Sequence, residues 1–241
     1  MILIPMMGKS SRFLEAGYNQ PKFMLPIRHS NLFRESVLSF KDYFQSDFFI
    51  FTIPDNFFIE DWIKNQLHEL KLKNFSIIKL DADTNGQADT IYQTLSRTDI
   101  DGELNIFNID TILKNFKLDK LENNYDGYLE VFKGQGDHWS FAEIDSDGKV
   151  LATSEKKRIS PYCSNGFYNF KNKEIFIEGF LKQQEFNNIN NTGEIYIAPI
   201  YNFLIEMGFL FKVKEVDIKD IIFSGVPSEY ELMLKDNNFL V

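Results

Sequence analysis

The chain has 241 residues, 44% of them hydrophobic and 25% charged, with a formal net charge of -9 and a pI near 4.9. That composition can build a sizeable core, and the acidic balance argues against nucleic acid or an anionic membrane as partner. A single cysteine, Cys163, excludes an intramolecular disulfide and a cysteine-based metal cluster, and no apolar run approaches the roughly 18 residues of a membrane span.

An apolar strand is expected at Met1–Pro5, followed by a loop of small residues around Gly8. Because the chain enters this strand at once, no signal peptide is read and a cytoplasmic location is expected. Gly8-Lys9-Ser10 looks like the tail of a P-loop, but the first glycine of that motif would fall on Leu3, so the P-loop is rejected. A looser anion-binding turn remains. Gly8 lets backbone N–H groups approach phosphate oxygens, and Ser10 and Ser11 add hydroxyl donors. Arg12, and Lys22 held behind Pro21, supply two cations of the kind that hold a triphosphate. The alternative is a plain strand–helix turn with two surface charges.

Further strands are expected at Phe48–Ile53, Phe75–Leu80 and Leu104–Phe107, alternating with helices at Leu32–Tyr43, Phe58–Leu70 and Ala88–Ser96. This order predicts an α/β fold with a mainly parallel or mixed central sheet flanked by helices. Ligands of such sheets bind beyond the carboxyl ends of the strands, which directs attention to loops 6–13, 54–57, 81–87 and 108–114. After the third strand, Gly86 would admit a flat ligand such as a base and Gln87 could pair with its edge; a glycine-containing helix start is the equal alternative. Asp81-Ala82-Asp83 resembles the D-x-D metal motif of a glycosyltransferase, but is read as a solvated loop. Asp110 ends the fourth strand behind an apolar run. An unpaired buried carboxylate is costly, so it should meet a cation, and Mg2+ bound with phosphate oxygens is the candidate. Capping of a following helix is the alternative.

Beyond residue 125 consecutive strands are expected at Gly127–Phe132, Trp139–Ile144, Val150–Glu155 and Gly166–Phe170, with a tight turn at Asp145-Ser146-Asp147-Gly148. A helix at Lys171–Lys182, an Asn-rich loop at Phe186–Thr192, a helix at Ile195–Met207, a strand at Leu210–Val216 and a short helix started by a Ser228/Glu231 capping box complete the chain. Glu155 and Lys156 follow a strand and could point into a cleft. Gly166 suits close backbone contact with a ligand. Glu194, beside Gly193, either stabilises a helix start or binds ligand hydroxyls. The histidines His29, His68 and His138 are scattered and receive no role. The 25 phenylalanines are expected in the core. With no linker or repeat, the chain reads as one domain, with residues 1–125 as a nucleotide-binding half and 126–241 as an acceptor-binding half.

Taken in order, these features resemble the sugar-phosphate nucleotidyltransferases, the nucleoside-diphosphate-sugar pyrophosphorylases. Gly8-Lys9-Ser10-Ser11-Arg12-Phe13 and Pro21-Lys22-Phe23-Met24-Leu25-Pro26-Ile27 are similar to the family's opening motif. Gly86-Gln87-Ala88 resembles its base-contacting segment, Asn108-Ile109-Asp110 its metal-binding strand end, and Glu155-Lys156 its sugar- and phosphate-contacting pair. Gly166-Phe167-Tyr168 resembles the start of its Gly-x-Tyr strand, and Gly225-Val226-Pro227 its late Gly-Thr-Pro. The resemblance implies a Rossmann-like, GT-A-like fold and transfer of a nucleotidyl group from a triphosphate to a phosphorylated sugar or polyol, in the service of capsule or lipopolysaccharide synthesis. Arg12 and Lys22 would be catalytic, and Met7, Gly8, Ser10, Ser11, Gly86, Gln87 and Ala88 would hold the nucleotide. Asn108, Glu155, Lys156, Gly166 and Glu194 would hold the acceptor, and Asp110 the Mg2+. A homo-oligomer is left open. The chain departs from the pattern at Ser10, where a second loop glycine is usual, and at Phe223, where a second metal-binding aspartate is frequent. A glycosyltransferase using Asp81 and Asp83, or a nucleotide binder without turnover, are the competing readings.

Overall fold

A computed structural model describes residues 1–122, 124–190 and 193–235. The first half runs β1 (Ile2–Pro5), α1 (Ser11–Glu15), a short hairpin of β2 (Pro26–Ile27) and β3 (Ser30–Asn31), α2 (Leu32–Leu38), β4 (Phe49–Pro54), α3 (Phe57–Glu69), β5 (Phe75–Leu80), α4 (Gln87–Leu95), β6 (Leu104–Phe107) and β7 (Thr111–Leu113). The second half runs β8 (Gly127–Lys133), β9 (Ser140–Ile144), β10 (Val150–Glu155), β11 (Tyr162–Phe170), α5 (Lys173–Asn190), α6 (Ile200–Glu206), β12 (Phe211–Glu215), β13 (Ile221–Phe223) and α7 (Pro227–Lys235).

Nine strands form one mixed sheet in the order β10-β9-β11-β6-β1-β4-β5, with β8 beside β11 and β12 beside β8. β1 pairs in parallel with both β4 and β6, so the chain builds outward on one side of β1 and then crosses to the other. A crevice forms at such a reversal, outside the carboxyl ends of the strands. β11 runs antiparallel to β6 and extends past its end, bringing the second half of the chain over the same crevice.

β1 is buried on both faces. Its two-residue period sends Ile2 and Ile4 into one core and Leu3 into the other. Most phenylalanine rings serve the first of these cores. Phe40 packs edge-on against Phe107 at 4.8 Å and Phe116 at 4.7 Å between ring centres, contacts that each add about 0.5–1.5 kcal/mol beyond area burial.

Several expected elements differ from the observed ones. The helix expected over Ile195–Met207 begins only at Ile200. Residues 195–199 are held out of the helix by pairing with the start of α4: Ile195 N–H donates to Asn85 O at 2.8 Å, and Ala88 N–H to Ile195 O at 3.0 Å. Glu194 therefore lies in an irregular segment, not at a helix start. α5 runs through most of the expected Asn-rich loop, to Asn190. Its asparagines bond locally, Asn190 to Phe186 O and Asn187 to Gly193 O, and positions 191–192 of that loop lie outside the described residues. Helix Leu32–Tyr43 divides into α2 and a 3-10 turn at Lys41–Tyr43. A strand, not a helix, follows Asp110, because β7 pairs with β13. The Ser228/Glu231 capping box is absent. Pro227 opens α7, a position its missing N–H favours, and the carboxylate that takes up nearby N–H groups is Glu229.

Candidate active site

A cavity of about 770 Å³ opens beyond the ends of β1 and β6. Its first wall is the loop after β1. Met7, Gly8, Ser11 and Arg12 line it, and a Cβ on Gly8 would meet nothing within 4 Å, so the backbone there is open to a ligand. Ser10 is turned away. It adopts a left-handed conformation (φ 54), and its Oγ accepts the backbone N–H of Lys22 at 3.1 Å. A glycine would adopt this φ more easily, but only a side chain can tie the loop to the segment carrying Lys22. Lys9 pairs with Asp83 at 2.7 Å on the rim, with both side chains largely exposed. Such a pair is worth at most about 1 kcal/mol, and it occupies one carboxylate of the D-x-D segment.

The floor carries the expected carboxylate. Lys22 Nζ lies 2.5 Å from Asp110 Oδ2, with each side chain about one fifth exposed, so the cation that Asp110 requires is Lys22. The Asp110 carbonyl accepts both the backbone N–H and the hydroxyl of Ser224 at 2.9 Å, which fixes the end of β13 over this point. Glu229 faces Asp110 across Gly225. A Cβ on that glycine would sit 3.2 Å from Asp110 Oδ2 and 3.5 Å from Glu229 Oε2. Burial raises the Glu229 pKa, opposed by the N–H groups of Gly225 and Val226 and aided by the Asp110 charge. The sequence reading missed Glu229, whose only signal is its place two residues after Pro227. Where the family pattern has a second aspartate, the Phe223 ring packs on Trp139 at 4.5 Å and Phe132 at 5.2 Å.

Gly86 and Gln87 line the next wall, while Ala88 is fully buried behind it. Gln87 Nε2 donates to Asn108 Oδ1. Gly86 has φ 96, and an added Cβ would lie 2.7 Å from both the N and O of Ile195. The glycine is thus required by the backbone passing behind it, in addition to any ligand in front. Gly86→Ala should cost at least ~2 kcal/mol, from a backbone region nearly confined to glycine plus the clash. The unfolding midpoint should fall by roughly 4–8 °C, as measured by thermal denaturation.

The far wall comes from the second half of the chain, together with Asn108 just after β6. Asn108, Glu155, Gly166 and Glu194 reach the cavity, as do His138, Trp139, Ser140, Asn165 and Tyr196, to which the sequence reading assigned no role. Gly166 (φ 89) is packed against the Asn108 side chain, which a Cβ would approach to 2.7 Å. Lys156 does not line the cavity. Its Nζ donates to Tyr196 OH at 2.9 Å, and that hydroxyl donates to Glu194, so the lysine charge reaches the wall through a tyrosine. Glu155 accepts from Ser140 Oγ at 2.5 Å.

Burial pushes the Glu155 carboxyl pKa up, against the Ser140 hydroxyl and the Lys156 charge. A carboxyl that holds its proton more tightly when folded contributes stability that is full below its unfolded pKa and is lost as pH rises through the folded one. Thermal unfolding of wild type and Glu155→Gln across this range should therefore show the variant gaining on wild type as pH is raised from about 4 to about 7. A constant difference would show that burial does not penalise the charge.

Among the described residues, no helix is long and apolar enough to cross a membrane. No family model and no curated protein sequence matches the chain. Solved structures do. A nucleoside-diphosphate-sugar pyrophosphorylase from Vibrio cholerae RC9 is 40% identical, with 98% of this chain covering 100% of that one at a TM-score of 0.90. The inositol-1-phosphate CTP transferase of T. maritima (13% identity, 98% and 96% covered, TM-score 0.74) and a UDP-glucose pyrophosphorylase complexed with UDP-glucose (14%, 95% and 94%, 0.69) share the fold. With that fold, a cation-bearing loop at the end of β1 and 40% identity along both full lengths, the chain belongs to the nucleoside-diphosphate-sugar pyrophosphorylases and is a nucleotidyltransferase.

Proposed function

We propose that the enzyme condenses a nucleoside triphosphate with a phosphorylated sugar or polyol, releasing pyrophosphate, and that its product feeds surface-polysaccharide synthesis. The observation that carries this reading is the division of one cavity. Lys22 and Asp110 pair on the side built by the first half of the chain, where Arg12 also lines the cavity, and Glu155, Glu194 and Tyr196 line it from the second half. Residues 1–125 would accordingly hold the nucleotide and residues 126–241 most of the acceptor wall.

In this reading an acceptor phosphate oxygen attacks the α-phosphorus in line, and the bond from that phosphorus to the α,β-bridging oxygen breaks. The attacking oxygen is already anionic, so no general base is needed. The protein's work is positioning and stabilisation of spreading negative charge. Arg12 would neutralise the α-phosphate and leaving pyrophosphate, and Lys22 would orient the triphosphate. Glu155 and Glu194 would accept hydrogen bonds from acceptor hydroxyls.

Mg2+ suits the donors present. Asp110 and Glu229 offer hard carboxylate oxygens, and Mg2+ is commonly held by one or two carboxylates with phosphate oxygens and water. Among the described residues no group of three or more His, Cys, Asp or Glu could hold an ion unaided, which fits an ion that arrives with the triphosphate. When bound, it would supply further positive charge to the phosphate oxygens.

The test is pyrophosphate release with ATP, CTP, GTP, UTP and dTTP, each against a panel of sugar and polyol phosphates. One triphosphate–acceptor pair should stand out by its rate. Consumption of a sugar nucleotide without pyrophosphate, or nucleotide binding without turnover, would overturn the reading.

A further inference from the structure

Glu130 on β8 is the only carboxylate among the fully buried described residues, at 1% exposure. It is not free to ionise alone. Lys214 on β12 donates to its Oε1 at 2.7 Å, and Asn165 Nδ2 donates to its Oε2 at 2.8 Å. Buried ion pairs are weak sources of stability, because apolar replacements of the whole pair are often neutral or stabilising. The placement of Asn165 suggests another use.

Asn165 lies in β11 where the register with β8 shifts, between Ser164 and Tyr168, and it lines the cavity on the acceptor side. Its Oδ1 accepts the Phe167 N–H at 3.0 Å. A carboxylate only accepts hydrogen bonds, so Glu130 requires the amino end of the Asn165 amide, not the oxygen. One amide N–H goes to Glu130. A side-chain amide carries two. Building on the functional reading above, we infer that Glu130, clamped by Lys214, is a positioning residue that orients Asn165 so that its second N–H meets the phosphorylated acceptor.

The inference separates the two substrates. In steady-state assays of the full chain, Asn165→Ala should raise the acceptor KM about 10-fold, the loss expected for a hydrogen bond to a charged or strongly polar group. The triphosphate KM should stay within about twofold. Glu130→Gln should have a similar effect, because Lys214 and Asn165 donate to different oxygens of Glu130, and in glutamine one of those two places is an NH2 that donates and does not accept. In the Asn165→Ala background, Glu130→Gln should then change the acceptor KM less than about twofold, since its effect passes through the missing amide. An equal effect of Glu130→Gln in both backgrounds, or a parallel rise in both KM values, overturns the inference. So does a normal acceptor KM in Asn165→Ala, which decides the matter even if Glu130→Gln does not fold. A wild-type enzyme silent with every substrate pair would instead remove the functional reading, and this inference with it.

Discussion

Lys22→Met is expected to lower turnover by at least ~100-fold at saturating substrates, the range seen when a preorganised donor to developing charge is removed. Two effects combine. The ammonium is held in place before substrate arrives, by Pro21 on one side, by the bond from its backbone N–H to Ser10 Oγ, and by Asp110 at 2.5 Å. A cation fixed in this way would need no reorganisation as charge shifts to a leaving pyrophosphate. Its loss also leaves Asp110 without its counter-charge at a site only about one fifth exposed. Lys22→Arg should recover little, because a planar guanidinium cannot replace a compact ammonium against one carboxylate oxygen. Arg12→Ala should show a loss of similar size, while Lys9→Ala, on the exposed rim, should stay near wild type. Near-normal turnover by Lys22→Met, measured as pyrophosphate release, would remove Lys22 from the chemistry.

The parts of the fold that were legible in the sequence are those set by local pattern. β1, β4 and β6 are mostly apolar runs, as expected of strands buried on both faces, and their observed limits, with those of the edge strand β5, fall within a residue of the expected ones. The parts that were not legible depend on partners far along the chain. Ile195-Tyr196-Ile197 has the composition of a helix or a strand, and its start is held out of the helix by backbone bonds to Asn85 and Ala88. β7 and β13 are each three residues long and exist because they pair across more than a hundred residues.

The site shows the same division. Gly86 and Gly166 could be marked as special positions, but what crowds them is Ile195 and Asn108, residues no local pattern connects to them. Glu229 escaped notice because nothing near it in sequence points to Asp110. Glu130 did leave a trace: a carboxylate inside Gly-Tyr-Leu-Glu-Val-Phe interrupts an apolar strand, and a buried charge needs a stated partner. The substitution at Ser10 changes meaning with the structure, since its hydroxyl ties the loop after β1 to Lys22 and does not reach the cavity.

Asp110→Asn separates two roles that one carboxylate would combine. The change keeps size and shape but removes the charge that both anchors Lys22 and would bind Mg2+. Turnover should fall at least ~100-fold, comparable to loss of the preorganised cation itself. Activity alone does not distinguish a displaced lysine from a lost ion. Binding of Mn2+ as a Mg2+ substitute, followed by electron paramagnetic resonance in the presence of a non-hydrolysable triphosphate, does. Asp110→Asn should weaken Mn2+ binding at least ~10-fold. Glu229→Gln should weaken it less, because Glu229 Oε2 already accepts the N–H groups of Gly225 and Val226 at 2.8 and 3.2 Å, leaving fewer of its lone pairs for an ion. Lys22→Met should leave Mn2+ binding intact or strengthen it, since the competing ammonium has gone from Asp110. If Asp110→Asn instead loses turnover with Mn2+ affinity unchanged, Asp110 acts by holding Lys22. The ion would then rest on phosphate oxygens and Glu229, with Phe223 marking the place where this chain has no second aspartate.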